Sequence, residues 1–376
     1  MDTEKSIIVI SGINLRSGGP LTIIRDCLEY LSFSDIAKEY RIIALVHKKD
    51  LFNFQNIEYI EFPDSASSWL KRIYYEYFYF KTLSKKLKPY LWLSLHDITP
   101  RVESTIQAVY MHNPSIVNKI KITDWKFDKA YIAFSLFYKI LYKINIHNNN
   151  FCIVQQNWFK EICSKLLNVP TEKFIVARPN RISNKKRNKQ ISKNKCQSFF
   201  FPSFPRPFKN FETLCEAARI IEDQGISNIK IVITLNGSEN SYSKWIYEKF
   251  KRVKSIEFKG ILNKSEMSIE YENTDCLIFP SRLETWGLPI SEFIPFNKPI
   301  IVADEPYAHE TAEGADRVAY FKTNDAKSLA KLIIETTNGN FSSFKHEPKI
   351  KTELSFASNY KDLFNILLNK EENGCK

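Results

Sequence analysis

Short, almost wholly apolar runs recur along this chain, each followed by a polar loop or an amphipathic stretch, and that alternation restricts its fold more than any other feature. The runs Ile7 to Ile10, Arg41 to Val46, Leu91 to Leu95, Ala108 to Met111, Phe151 to Val154 and Phe174 to Ala177 lack polar alternation. They read as strands buried on both faces, the condition of a parallel sheet covered by helices. The first run leads through the loop Ser11 to Pro20 into an amphipathic helix expected from about Leu21 to Leu31. Residues 178–196 are basic, polar and nearly free of core-forming side chains, which marks a linker. Beyond them the pattern restarts, with strands expected at Ser198 to Phe201, Ile229 to Thr234, Ser255 to Phe258, Cys276 to Phe279 and Pro299 to Val302, and helices at Phe211 to Asp223 and from Pro289. A closing helix is expected from about Phe356 to Leu368.

The expected organisation is therefore α/β, with two Rossmann-like, doubly wound domains: 1–177, then the basic linker 178–196, then 197–350, with a C-terminal helix and tail over 351–376. A length of 376 residues agrees with two cores. The net charge of +12 is unevenly spread: +7 over residues 1–180, +7 over 181–196 and −2 over 197–376. That distribution argues against reading the whole chain as a nucleic-acid binder. Seven scattered cysteines without C-x-x-C spacing give no structural zinc site. The longest apolar stretch, Ala130 to Tyr142, is short and carries Lys139, and the acidic start Met1-Asp2-Thr3-Glu4 does not suit a secretory signal. The expected location is the cytoplasm.

Chemistry concentrates in Phe279-Pro280-Ser281-Arg282-Leu283-Glu284-Thr285-Trp286-Gly287-Leu288-Pro289-Ile290-Ser291-Glu292. A strand ending at Phe279 puts Glu284 in a loop at its carboxyl end, where open α/β sheets bind ligands. Gly287 permits close backbone approach, and Pro289 suits the start of a helix whose free amides would face a diphosphate. Glu292 is expected in that helix's first turn, facing a ribose diol. A second loop, Pro202 to Asn210, follows a strand and carries Arg206 and Lys209, cations suited to a diphosphate leaving group.

These residues resemble the signature of the retaining family 4 (group 1) glycosyltransferases, P-S-x-x-E-x-x-G-L-P-x-x-E with two glutamates separated by seven residues. The Arg206/Lys209 loop is similar to the family's, although Pro202-Ser203 stands where Val-Gly is usual. The resemblance implies the GT-B fold, two Rossmann-like domains facing across a cleft. It implies a nucleotide diphosphate sugar as donor substrate, no cofactor, and transfer with retention. Glu284 would then contact the donor sugar, Glu292 the ribose, Arg206 and Lys209 the diphosphate, and the amides around Trp286, Gly287 and Leu288 the sugar and phosphate. Gly18 and Gly19 resemble the family's glycine pair, with a plain turn as the alternative. His112 matches a histidine placed against the donor sugar, and His96 is a second candidate on the acceptor side or in a structural role. No D-x-D pair occurs in the sequence, so no metal site is expected.

The aromatic and basic stretch from Trp69 to Lys88, and another from Lys126 to Lys143, suit either a core helix or contact with an anionic membrane. The implied acceptor is a glycan or a polyprenyl-diphosphate-linked glycan of bacterial surface polysaccharide synthesis, such as O-antigen or capsule, reached from the inner face of the membrane. Two other readings stay open at this level. One is a nucleotide-sugar epimerase of the same fold; the other is a non-catalytic module that binds membrane or nucleic acid through its basic residues.

Overall fold

A computed structural model of the chain describes residues 5–117, 122–127, 129–179, 195–350 and 356–369. The chain divides into two compact units, one of residues 1–117, 135–180 and 352–376 and the other of 118–134 and 181–351. The strands are β1 (Ile7–Gly12), β2 (Arg41–Val46), β3 (Ile57–Glu61), β4 (Leu91–Ser94), β5 (Ile106–Met111), β6 (Phe151–Val154), β7 (Phe174–Ala177), β8 (Ser198–Phe201), β9 (Lys230–Ile233), β10 (Ile256–Phe258), β11 (Cys276–Phe279), β12 (Ile300–Ala303), β13 (Val318–Phe321) and β14 (Phe356–Ala357).

The first unit holds a parallel sheet ordered β14-β7-β6-β5-β4-β1-β2-β3. Its apolar runs lack polar alternation because both faces are covered. Ile8 and Ile10 point to one face, packing with Leu28 and Leu31 of helix Gly18–Phe33 and with Leu363 and Phe364 of helix Tyr360–Leu367. Val9, one residue out of phase, points to the other, with Trp92 and Phe80. At roughly 25 cal/mol per Å² of apolar surface buried, such two-sided burial is the main force holding the sheet. Helix Trp69–Tyr74, a π-helical turn Tyr75–Tyr79 and helix Phe80–Leu87 form one helical run on that second face.

The second unit holds a parallel sheet ordered β10-β9-β8-β11-β12-β13, with helix Phe211–Asp223 where the sequence predicts it. Two segments depart from the expected boundaries. The C-terminal segment belongs to the first unit: Phe356 and Ala357 extend the sheet beside Val176 and Ala177, and Tyr360 and Phe364 stack on Tyr30. The apolar face of Tyr360–Leu367 finds its cover there, and β14 shields the β7 edge. Residues 118–134 fall within the expected 1–177 domain but join the second unit. Phe127 packs on Tyr242 and Trp245 at 5.6 and 4.9 Å between ring centroids, and Ser241 Oγ donates to its carbonyl at 3.0 Å. Most of the basic linker, residues 180–194, lies outside the described residues. No described helix is long and apolar enough to cross a membrane, and the six described cysteines are buried thiols.

Candidate functional site

In the second unit the chain runs β8, β9, β10 to one side and then returns to place β11 on the other side of β8. That reversal makes a switch point at the carboxyl ends of β8 and β11, the place where open α/β sheets take ligands. The two loops flanking it are those carrying Arg206/Lys209 and Glu284. The first is pinned at its start by Thr234, whose hydroxyl accepts from Ser203 N at 2.7 Å and donates to Ser203 O at 2.8 Å. It continues through the turn Pro207–Lys209 to Asn210, which takes a left-handed conformation (φ 62°), one that asparagine tolerates.

Three hydrogen bonds then tie the loops together. Asn210 Nδ2 donates to Pro280 O at 3.0 Å, Arg282 N to Phe208 O at 2.8 Å, and Arg282 Nη2 to Pro207 O at 2.8 Å. The consequence is an ion pair: Lys209 Nζ lies 2.5 Å from Glu284 Oε1, with only 17% and 12% of the two side chains exposed. Arg282 and Asn210, which the sequence reading left aside, hold that geometry. The signal was available, since Asn210 immediately precedes a helix and Arg282 lies inside the signature. Arg206 is exposed, its guanidinium 5.5 Å from the Phe204 ring. With Phe127, Pro205, Pro207, Asn240 and Tyr242 it lines a cavity of about 170 Å³.

Gly287 caps helix Leu288–Phe293 in a left-handed conformation (φ 84°) that favours glycine. Trp286 is buried: its indole N–H donates to Ser291 Oγ at 3.1 Å, and its carbonyl accepts from the Thr311 hydroxyl. Leu288 is exposed. Glu292 is exposed and accepts from Tyr271 OH at 2.9 Å. It is the fifth residue of a helix that starts at Leu288, so it lies in the second turn and not the first. Counted from Pro289 it would fall in the first turn, but Leu288 already takes the helical conformation.

The first unit has its own reversal, between β1 and β4. Ser11 is the penultimate residue of β1 and Ser94 the last of β4, and His96 Nε2 lies 3.2 Å from Ser11 Oγ and 3.5 Å from Ser94 Oγ. Arg72 Nη2 reaches His96 Nδ1 at 3.2 Å and His96 O at 3.0 Å. A guanidinium only donates, so Nδ1 accepts and the ring proton sits on Nε2, 3.2 Å from Glu76 Oε1. Burial pushes the imidazole well below its ordinary range, with the Arg72 charge adding to the effect. Burial also pushes the Glu76 carboxyl up to about 8, against the opposing pull of Arg72. Glu76 sits in the π-helical turn, and its main-chain carbonyl accepts from Arg101 N at 2.8 Å. His96 is thus the centre of a buried network whose partners, Arg72 and Glu76, are 24 and 20 residues away in sequence.

Asp97, with φ 74°, accepts from the amides of His112 and Asn113 at 2.7 and 2.9 Å and from Tyr142 OH at 3.0 Å. It thereby fixes the backbone at His112, which follows β5 and is partly buried. Gly18 (φ 63°) and Gly19 are exposed and open helix Gly18–Phe33, three residues earlier than expected. A side chain added at Gly19 would meet nothing within 4 Å. Gly18, Gly19, His96 and His112 belong to the first unit, and the signature residues to the second.

Residues 182–351 match the family model described as glycosyl transferases group 1. A curated relative, the O-antigen chain mannosyltransferase RfbU of Salmonella typhimurium, is 23% identical over 199 residues, 53% of this chain and 54% of that protein. The match thus spans about half the length of that relative. Among solved structures, WaaG, a glycosyltransferase involved in lipopolysaccharide biosynthesis, is 13% identical with a TM-score of 0.64, covering 98% of this chain and 100% of WaaG. Anabaena HepE, solved in complex with UDP and glucose, is 13% identical with a TM-score of 0.58, covering 97% and 96% of the two chains. Residues 182–351 carry the glycosyl transferases group 1 pattern, on a two-domain α/β fold shared along nearly the whole chain with solved GT-B glycosyltransferases.

Proposed function

We propose that the protein is a glycosyltransferase of bacterial surface polysaccharide synthesis, transferring a hexose from a nucleotide diphosphate sugar to a glycan or polyprenyl-diphosphate-linked acceptor with retention. The observation that carries this is the Lys209–Glu284 pair at the β8/β11 reversal, inside the segment that matches the family model. A cation and a carboxylate side by side at this edge suit a diphosphate next to a sugar. In this reading Arg206 and Lys209 take the diphosphate, Glu284 the sugar hydroxyls, Glu292 the ribose, and the amides of Trp286, Gly287 and Leu288 the phosphate and sugar. His112 contacts the donor sugar, and the Gly18-Gly19 turn lies beside the phosphates and acceptor. The charge on the departing diphosphate is met by protein cations and amides, without a divalent metal. RfbU and WaaG, by their names, act in O-antigen and lipopolysaccharide synthesis, which supports the choice of pathway class.

The same reading includes reversible contact with the inner face of the cytoplasmic membrane. Leu70, Tyr74 and Phe78 are exposed along one helical run, and Leu136, Phe137 and Ile140 along another, Lys129–Lys143. The Trp69–Phe137 contact, 5.8 Å between rings, joins these rows. Lys71, Lys85, Lys86 and Lys143 are exposed on the same helices, whose described carboxylate, Glu76, is buried. An apolar row edged by cations suits an anionic lipid surface.

Thermal unfolding across a panel of UDP- and GDP-sugars tests the donor assignment, because a ligand that binds only the folded state raises its stability. One nucleotide sugar should stabilise the protein and be consumed in the presence of acceptor. Conversion of the donor alone to an epimer, or no response to any nucleotide sugar, refutes the proposal.

A further inference from the structure

The Lys209 ammonium is engaged by a carboxylate of the neighbouring loop. It lies 2.5 Å from Glu284 Oε1, with the Phe208 and Phe279 rings 5.4 and 6.0 Å away, so aromatic walls and one carboxylate surround it. A pair this shielded is not a loose surface contact, since removing one partner leaves the other charge poorly solvated. An anion that draws on Lys209 therefore competes with Glu284 for the ammonium.

We infer that the Lys209–Glu284 pair acts as a latch that makes the site prefer a nucleoside diphosphate carrying a sugar over the bare nucleoside diphosphate. The inference rests on the donor-site reading above. A bare nucleoside diphosphate supplies phosphate oxygens to Lys209 but offers no hydrogen-bond donor to Glu284. It leaves a shielded carboxylate unpaired beside its own negative charge. A nucleotide sugar brings hydroxyl groups that replace the ammonium as partners of the carboxylate, so both halves of the broken pair are satisfied. Once the sugar has been transferred, the carboxylate loses those partners and recaptures Lys209, which favours release of the diphosphate product. Glu284 thus sets discrimination between substrate and product as well as contacting the sugar.

The pair is held by hydrogen bonds to main-chain carbonyls that involve neither Lys209 nor Glu284, namely Arg282 N to Phe208 O, Arg282 Nη2 to Pro207 O and Asn210 Nδ2 to Pro280 O. Changing Glu284 or Lys209 should therefore leave the loops in place. The test is calorimetric titration of UDP, GDP and their hexose conjugates into the full-length wild-type protein, Glu284→Gln, Lys209→Met and the double variant, with thermal unfolding to verify folding. Glu284→Gln should bind the bare diphosphate about tenfold more tightly than wild type, while the preference for the sugar conjugate shrinks. In the Lys209→Met background the same substitution should change diphosphate affinity by less than about twofold. Lys209→Gln serves as a second background in case the methionine variant does not fold.

Two results overturn the latch alone. One is a Glu284→Gln variant that binds the diphosphate no more tightly than wild type. The other is a gain that persists without Lys209, which would reduce the effect to simple repulsion between carboxylate and phosphate. A wild-type protein that binds neither diphosphates nor their sugar conjugates removes the donor-site reading, and the latch with it.

Discussion

Gly287 links backbone conformation to the site, and its replacement has a cost that can be worked from the structure. Its φ of 84° lies in the left-handed region, where an L-residue loses roughly 1–2 kcal/mol. A Cβ built there would sit 3.4 Å from Ile290 Cδ1 and 3.5 Å from both the Phe279 and Tyr307 rings, which is ordinary van der Waals contact. Gly287→Ala should therefore suffer the backbone term and little else, about 1–2 kcal/mol. For a unit of this size that lowers the unfolding midpoint by roughly 2–8 °C. Gly287→Asn should be milder, because asparagine visits the left-handed region more readily. Gly287→Val should be worse than alanine, because its extra methyls press on the same three side chains and overpacking adds about 1–3 kcal/mol. Calorimetric scans of the full chain would rank the three variants on the transition of the second unit. An alanine variant as stable as wild type, or an asparagine variant as damaged as valine, would refute the assignment of the cost to φ.

Glu284→Gln should fold normally yet lose about a hundredfold in turnover, whereas Glu292→Gln should mainly raise the KM for donor; near wild-type kinetics for both would remove them from the site. Activity should persist in EDTA; complete loss restored by Mn²⁺ would reveal a metal site. Glu76 predicts a pH dependence: its carboxyl is pushed up to about 8 in the folded chain from an ordinary 4.5, so the folded state holds a proton that the unfolded state releases. Its contribution is then complete below its unfolded pKa and lost as pH rises through about 8. Glu76→Gln should flatten the stability profile across that window, and an unchanged slope in chemical denaturation would refute this. The full-length protein should sediment with anionic vesicles at low salt and release as salt rises, and Lys81, Lys85, Lys86 and Lys88 changed together to Gln should weaken that; indifference to vesicles would mark the exposed apolar rows as something other than a lipid contact.

The sequence by itself determined what local patterning can encode. Runs such as Ile7 to Ile10 and Cys276 to Phe279 specify buried strands without reference to neighbours, because continuous apolar character needs cover on both faces. Helix Phe211–Asp223 and the loops carrying Lys209 and Glu284 were legible for the same reason. Strands β3, β13 and β14 were not. Ile57–Glu61 is a half-exposed edge strand with interspersed glutamates, Val318–Phe321 is the edge strand of the second sheet, and Phe356–Ala357 is a strand only because β7 offers it an edge. The tertiary structure alone decided which loops meet. Lys209 and Glu284 are 75 residues apart and become neighbours through the strand order that sets β8 beside β11. Arg72, Glu76 and His96 converge because a helix covering one face of the sheet buries two ionisable side chains against the end of β4. Periodicity tells each segment which side to bury, but not which distant segment will bury it, since that depends on a crossover order carried by no single stretch of residues.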